Sequence, residues 1–309
     1  MLALLGPTAA GKSALAHAVA RSLGGPVVVA DPFQRYRGLE IAADGPRPAE
    51  RAEVDYRCVG DLALSERSTA AAFAEAAHAA IDEAIDRGVV PVVSGGTGLY
   101  ARAALADLAF PAEPDEAERA WAEELARDDP ARAAADLARL DPAAARRIDP
   151  ANPRRVARAL ALARAGGAAP GPAGLWSGER RRPTLVVALT RPREILDELI
   201  AARVRRELDD GLVAELEAAL EAPDTSREAL QVIGAREVAA VRAGALDPGE
   251  LPERLAARTR RLARKQLTWL RKVPVDAAID LGDRPAEDAL GRLMALWREA
   301  TDRPVSSGG

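Results

Sequence analysis

The sequence predicts an α/β fold, a parallel sheet flanked by helices and interrupted by a helical insertion domain. Three observations carry this. Short apolar runs alternate with Ala- and Leu-rich helical stretches through the first hundred residues, and the same rhythm returns after residue 184. A glycine-rich loop stands directly behind the first apolar run. Between these two parts lies a charged, Ala-rich stretch with helical periodicity and no strand signal.

Leu2 to Leu5 reads as a buried strand and Ser13 to Leu23 as a helix, with Gly6, Pro7, Thr8, Ala9, Ala10, Gly11, Lys12 and Ser13 between them. This is a complete phosphate-binding loop in the strand–loop–helix context it requires, which makes the fold P-loop NTPase-like. The backbone N–H groups of such a loop turn toward one anion, and the helix N-terminus adds its partial positive charge. Lys12 would reach the terminal phosphates, and the Ser13 hydroxyl would hold a magnesium ion. Basic residues in this chain are almost all arginine, with lysine only at positions 12, 265 and 272. A compact, flexible ammonium is therefore kept where one is needed.

Val27 to Ala30 is the next strand and ends at Asp31. A helix is expected over Thr69 to Asp86, capped by Ser68, and then a strand from Val89 to Val93 running into Ser94-Gly95-Gly96-Thr97. Residues 115–165 read as the helical insertion, with Pro130, Pro142, Pro150 and Pro153 as breakers, and Gly166 to Gly174 as a loop or linker. Thr184 to Leu189 returns the chain to the sheet. Helical patterns follow over 192–221, 226–243 and 250–272, then a short strand from Ala277 to Leu281, a last helix at 285–299 and a disordered tail from Val305. The expected division is a core of residues 1–114 and 166–309 with the insertion at 115–165.

The composition bounds the function. At 309 residues with 48% apolar and 29% charged content, the chain has ample material for a core. A net charge of −4 argues against general affinity for nucleic acid, so any such binding must be local. The single cysteine, Cys58, excludes an internal disulfide and a cysteine metal cluster, and reads as a small buried hydrophobe. His17 and His78 are lone histidines on Ala-rich helices with structural or solvent-facing roles. No apolar run approaches the ~20 residues of a membrane span, and the first strand runs straight into the phosphate loop, so a cytoplasmic protein without a signal peptide is expected.

Two further signals carry chemistry. Asp31 ends an early strand, where ligands of parallel sheets collect, and can serve as a general base or a magnesium-linked group; the plainer reading is a turn cap before Pro32. From Arg254 to Lys272 the chain places eight cations, of which Arg254, Arg258, Arg261 and Lys265 share one helical stripe, without interleaved acids. Such a face suits a polyanion. A smaller cluster, Arg154, Arg155 and Arg158, lies in the insertion.

These residues, in this order, resemble the tRNA dimethylallyltransferases. The resemblance spans nearly the whole chain. It rests on the phosphate loop; on Asp31, Gln34, Tyr36, Arg37 and Gly38; on Gly95-Gly96-Thr97 with Leu99-Tyr100; on Arg119; and on Pro150, Arg155 and Arg158. It continues through Arg203 with Gly211-Leu212, through Gln231, Ile233 and Gly234, and through Thr259-Arg260, Ala263-Arg264-Lys265-Gln266 and Thr268-Trp269. It implies that the loop holds dimethylallyl diphosphate, with Lys12, Arg203 and a magnesium ion on Ser13 stabilising the departing diphosphate. It implies that Asp31 accepts the proton of the adenosine N6 in tRNA, with Thr97 and Arg119 in the catalytic set. Asp31, Pro32, Phe33 and Gln34 would line the channel for a flipped base. Arg154, Arg155, Arg158, Arg260, Arg264 and Lys265 would hold the anticodon stem-loop. No membrane and no obligate protein partner is implied, and a monomer is expected. Pro32 stands where the family usually has Ser, and Glu40 to Pro46 lacks its Gly-Thr-Ala-Lys run.

Three alternatives share parts of this pattern. An isopentenyltransferase of free adenine nucleotides needs neither the Arg155/Arg158 cluster nor the insertion. A small-molecule P-loop kinase leaves the basic C-terminal helix unused. A nucleotide-gated RNA-binding module needs neither Asp31 nor Thr97.

Overall fold

The computed structural model describes residues 1–96, 98–169 and 178–302. Six parallel strands form one sheet in the order β3-β2-β4-β1-β5-β6. They are β1 (Leu2–Leu5), β2 (Val27–Ala30), β3 (Tyr56–Arg57), β4 (Val92–Gly95), β5 (Leu185–Thr190) and β6 (Ala277–Asp280). The central strands read as continuous apolar runs because both faces are covered: Leu2, Leu4 and Leu5 of β1 are fully buried, as are Val92 and Val93 of β4. Register sets Leu5 of β1 and Ala30 of β2 both level with Gly95 of β4. The carboxyl ends of three neighbouring strands thus lie side by side.

Helix α1 (Lys12–Leu23) packs on the sheet through Leu15, Ala16, Val19 and Ala20. After β2 come α2 (Pro48–Glu53) and α3 (Ala70–Asp86). The cap of α3 differs from expectation. Thr69, not Ser68, accepts from the Ala72 N–H at 3.1 Å, while the Ser68 backbone N–H and hydroxyl are taken by Tyr36 and Tyr100. Strand β4 starts at Val92, three residues later than expected, behind Pro91, which has no N–H to give a ladder. Helix α4 (Gly98–Leu105) follows it.

The chain divides into two compact units, one of Met1–Asp107 with Ser177–Gly309 and one of Leu108–Trp176, so the second is wider at both ends than 115–165. It contains α5 (Glu116–Asp128), α6 (Pro130–Leu140), α7 (Pro142–Arg147) and α8 (Pro153–Arg164) around Ala122, Ala133, Leu137, Val156 and Leu160. Three of the prolines expected as breakers open helices here. Asp129, Asp141 and Asn152 cap the next turn with their side chains, and Pro130, Pro142 and Pro153 follow at the first helical position.

In the first unit, the expected long helices are broken. The 192–221 pattern is α9 (Arg193–Asp209) and α10 (Leu212–Glu221), parted by Gly211 at φ 103°. The 226–243 pattern is a 3₁₀ turn and α11 (Ala235–Arg242), parted by Gly234 at φ 107°. Helices α12 (Leu251–Leu270) and α13 (Leu290–Asp302) complete the unit. Tyr36, Leu39 and Ala42 pack with α9 to α12 in a second apolar cluster, which fastens the segment after Asp31 to these helices. The expected linker from Gly166 lies partly, and the tail from Val305 wholly, outside the described residues.

Candidate active site

The loop behind β1, Asp31 behind β2 and Gly96 behind β4 open onto one cavity of about 630 Å³ in the first unit. Parallel strands deliver their termini to one edge, which is why residues so distant in sequence meet here. Ala9 and Gly11 take positive φ (63° and 92°) and turn the loop over the start of α1. Both segments are braced from α12: in the loop the Thr8 N–H donates to Gln266 Oε1 at 2.7 Å, and behind β4 the Gly96 carbonyl accepts from Trp269 Nε1 at 2.9 Å. A Cβ on Gly96 would lie 2.5 Å from Gln266 Nε2 and 3.1 Å from the Gly6 carbonyl oxygen, so a side chain there would have to displace the Gln266 amide that braces the loop.

Lys12 donates to the Pro7 carbonyl at 2.7 Å. Burial under the loop lowers its pKa to about 8, with Arg203 adding to the effect and Asp31 and Asp44 opposing it. Asp31 lines the same cavity. Its Oδ1 accepts from the Phe33 N–H at 2.9 Å, so it caps its turn and also faces the reaction space. Burial raises its pKa, partly offset by the N–H groups of Phe33 and Gln34 and the charges of Lys12 and Arg203. Ser13 is exposed on the first turn of α1 and lines the cavity.

Arg203, on α9, donates to Thr8 Oγ1 at 2.8 Å and to Glu207 Oε1 at 2.6 Å, and pairs with Asp44 at 3.1 Å. Burial works against its charge, but Asp44 and Glu207 outweigh it and the guanidinium is held above its ordinary pKa. Sequence reasoning gave no role to Gln266, Asp44 or Glu207. Glu207 stands one helical turn from Arg203, a signal legible in the sequence; Gln266 and Asp44 are brought in only by tertiary packing.

The remaining candidates are spread more widely. Pro32, Phe33 and Gln34 are half-buried, and Phe33 and Gln34 line the cavity. Thr97 lies outside the described residues. Arg119 is on α5 in the second unit, is not a cavity residue, and is held by Glu113 at 3.2 Å and by Glu116. Arg154, Arg155 and Arg158 are exposed on α8.

The stripe on α12 is not free of acids as expected. Glu250 pairs with Arg254 at 3.1 Å, Glu237 of α11 takes Arg258 at 2.8 Å, and Glu253 pairs with Arg260. The partner of Arg258 comes from another helix and was invisible to a helix-face argument. Arg261, Arg264 and Lys265 remain exposed and form a shallow basic shelf with Thr268, Trp269 and Lys272. His17 contacts the Tyr56 hydroxyl at 3.0 Å, a structural role. Cys58 is buried and its thiol is pushed up to about 12, which leaves it unreactive.

A parallel sheet with a phosphate loop at its carboxyl edge, and a lysine, an arginine and a strand-end aspartate around one cavity, defines a protein of the P-loop class. Within it, the chain belongs to the IPP transferase family, whose model matches residues 34–273. It is 42% identical over 282 residues to a tRNA dimethylallyltransferase of Kineococcus radiotolerans, covering 89% of this chain and 88% of that one. A crystal structure of a tRNA isopentenylpyrophosphate transferase from Bacillus halodurans superposes with a TM-score of 0.70 at 27% identity, over 97% of this chain and 95% of that one. A eukaryotic dimethylallyltransferase acting on tRNA shares the fold, with a TM-score of 0.79 at 22% identity, over 99% of this chain and 81% of that one.

Proposed function

We propose that this protein transfers a dimethylallyl group from dimethylallyl diphosphate to N6 of the adenosine on the 3′ side of the anticodon in tRNA, releasing diphosphate. The observation that carries the reading is the single cavity that Lys12, Ser13, Asp31 and Arg203 share beneath the loop. The N6 lone pair attacks the allylic C1, the C1–O bond breaks, and its electron pair leaves on the diphosphate oxygen. The Asp31 carboxylate takes the N6 proton, which matters because an amine conjugated to a purine is a weak nucleophile. Loop N–H groups, Lys12 and Arg203 stabilise charge where it develops. The adenine must leave its stack to reach Asp31, and Phe33 and Gln34 line its path.

Ser13 and Asp31 supply only hard oxygen donors to the cavity, a donor set suited to Mg²⁺. Ser13 would hold the ion, which when bound neutralises diphosphate charge. Arg154, Arg155 and Arg158, and separately Arg264 and Lys265, are exposed cations for the stem and loop phosphates. No helix among the described residues is long and apolar enough to cross a membrane. A reaction on tRNA with a diphosphate donor is placed in the cytoplasm.

The test mixes protein, Mg²⁺, labelled dimethylallyl diphosphate and unmodified tRNA carrying adenosine after the anticodon. Label in the tRNA, lost in Asp31→Ala, is the expected result. Label on AMP or ADP instead would make this a free-nucleotide enzyme, and label in neither would overturn the reading.

A further inference from the structure

Arg203 is already occupied by a carboxylate at the place where a diphosphate would need it. Asp44 Oδ2 lies 3.1 Å from Arg203 Nη1, and Asp44 Oδ1 lies 3.1 Å from Arg206 Nη2, so one aspartate bridges both guanidinium groups. The same Arg203 nitrogen reaches the phosphate loop at Thr8 Oγ1. Asp44 is also one of three non-glycine residues among the described residues with positive φ, at 51°. That backbone conformation costs energy and persists where surrounding contacts impose it. The base of its turn is fixed: Glu215 on α10 accepts from the N–H groups of Ile41, at 2.9 Å, and Ala42, at 2.8 Å. The tip, from Ala42 to Arg47, forms part of the cavity wall.

We infer that Asp44 is an internal counter-ion that competes with the diphosphate for Arg203 and Arg206, so that this turn sets how tightly the leaving group is held. The inference rests on the proposed diphosphate site. In the free protein Asp44 bridges the partly buried Arg203 and the exposed Arg206, and together with Glu207 on Arg203 it balances their charge. An incoming diphosphate offers them more negative charge, takes over both, and pushes the Asp44 carboxylate aside by like-charge repulsion. When the prenyl group has been transferred, the return of Asp44 to the arginines favours release of the product. Asp44 acts through Arg203 and Arg206 and is thus a positioning residue.

The experiment measures inorganic pyrophosphate binding by calorimetry, with and without Mg²⁺, to the wild-type chain, Asp44→Asn and Asp44→Gly. Asn keeps the shape and tolerates the left-handed backbone, and Gly relieves it, so the pair separates charge from strain. Both variants should bind pyrophosphate tenfold or more tightly than wild type in either condition. In the transfer reaction both should lower KM for the allylic diphosphate and strengthen product inhibition by pyrophosphate. Unchanged or weaker binding overturns the inference, and weakening confined to Mg²⁺ would make Asp44 a metal ligand instead. Should the wild type fail to bind pyrophosphate, or Lys12→Ala bind as well as wild type, the diphosphate site itself would fall.

Discussion

The alkaline side of the reaction should be governed by Lys12. An ordinary lysine holds its proton to 10.5, but burial beneath the loop brings this one down to about 8. Only the ammonium can pair with a diphosphate, so the competent fraction of free enzyme falls from about nine-tenths at pH 7 to about one-tenth at pH 9. The specificity constant kcat/KM reports the free enzyme, and for the allylic diphosphate it should fall through about pH 8 and lose about tenfold per further unit. Bound diphosphate favours the charged form and raises the pKa, so above pH 8 binding must take up a proton. On the acid side the sign is opposite. Asp31 must be ionised to accept the N6 proton and its pKa is raised by burial, so the rate climbs with pH through a limb lying above 3.8. Rates at saturating tRNA and low diphosphate, from about pH 6 to about pH 9.5, test the profile. Pyrophosphate calorimetry near pH 8.5 in two buffers of different ionisation enthalpy tests the proton uptake. Lys12→Arg, which stays charged, should lose the limb near 8 at a lower overall rate. A wild-type profile flat to pH 9.5, or heats independent of buffer, would refute the assignment of this ammonium to the diphosphate.

Asp31→Asn keeps the shape of its turn and removes the base; transfer should drop by about 10² to 10⁴ while pyrophosphate binding measured by calorimetry persists. Gln266→Leu strips the Thr8 N–H of its acceptor. Leaving that group unpaired costs about 1–3 kcal/mol, which thermal unfolding should show as about 2–4 °C for each kcal/mol, with weaker pyrophosphate binding. Leu160 is fully buried in the helical unit, and Leu160→Ala should cost about 2–5 kcal/mol there. Transfer to tRNA should fall in that variant with pyrophosphate binding intact, and parallel loss of both would contradict the separate tasks given to the two units.

What could be read in the sequence was local. The strand before the loop, the loop itself and Asp31 at a strand end each follow from a few consecutive residues, and the structure brings all three to one edge of the sheet. Chain breaks were harder. Gly211 and Gly234 stand inside apolar patterns that continue across them, and a helical period alone does not reveal a positive φ. Ser68 and Thr69 are equally good caps by type, and the choice fell to Tyr36 and Tyr100, which take Ser68 from more than thirty residues away. The same holds for the site. Glu207 is four residues from Arg203, but Asp44 reaches it across 159 residues of chain and Gln266 reaches Thr8 across 258. Arg203 itself entered only through the family resemblance, since nothing local distinguishes it from its neighbours Arg205 and Arg206.

The charge balance of the cavity joins these points. Its lining carries four cations, Lys12, Arg47, Arg203 and Arg206, and four carboxylates, Asp31, Asp44, Glu50 and Glu207. A diphosphate entering such a space meets no net positive charge, so long-range attraction adds little to its affinity. Its hold must come from what an anion gains at short range: the N–H groups of the loop and helix start, the exchange of a carboxylate for a more highly charged partner, and whatever cation it brings with it. A cavity of excess positive charge would bind tightly any polyanion that fits, pyrophosphate product included, and would hold it after reaction. A balanced one binds the donor through geometry, and its cations Lys12 and Arg203 partly offset the burial that raises the Asp31 pKa. The chain's net charge of −4 fits the same economy. In the site Arg203 stands against Asp44 and Glu207 and Arg206 against Asp44, while Arg155 and Arg158 of α8 and Arg261, Arg264 and Lys265 of α12 present exposed cations that a long phosphate backbone could meet.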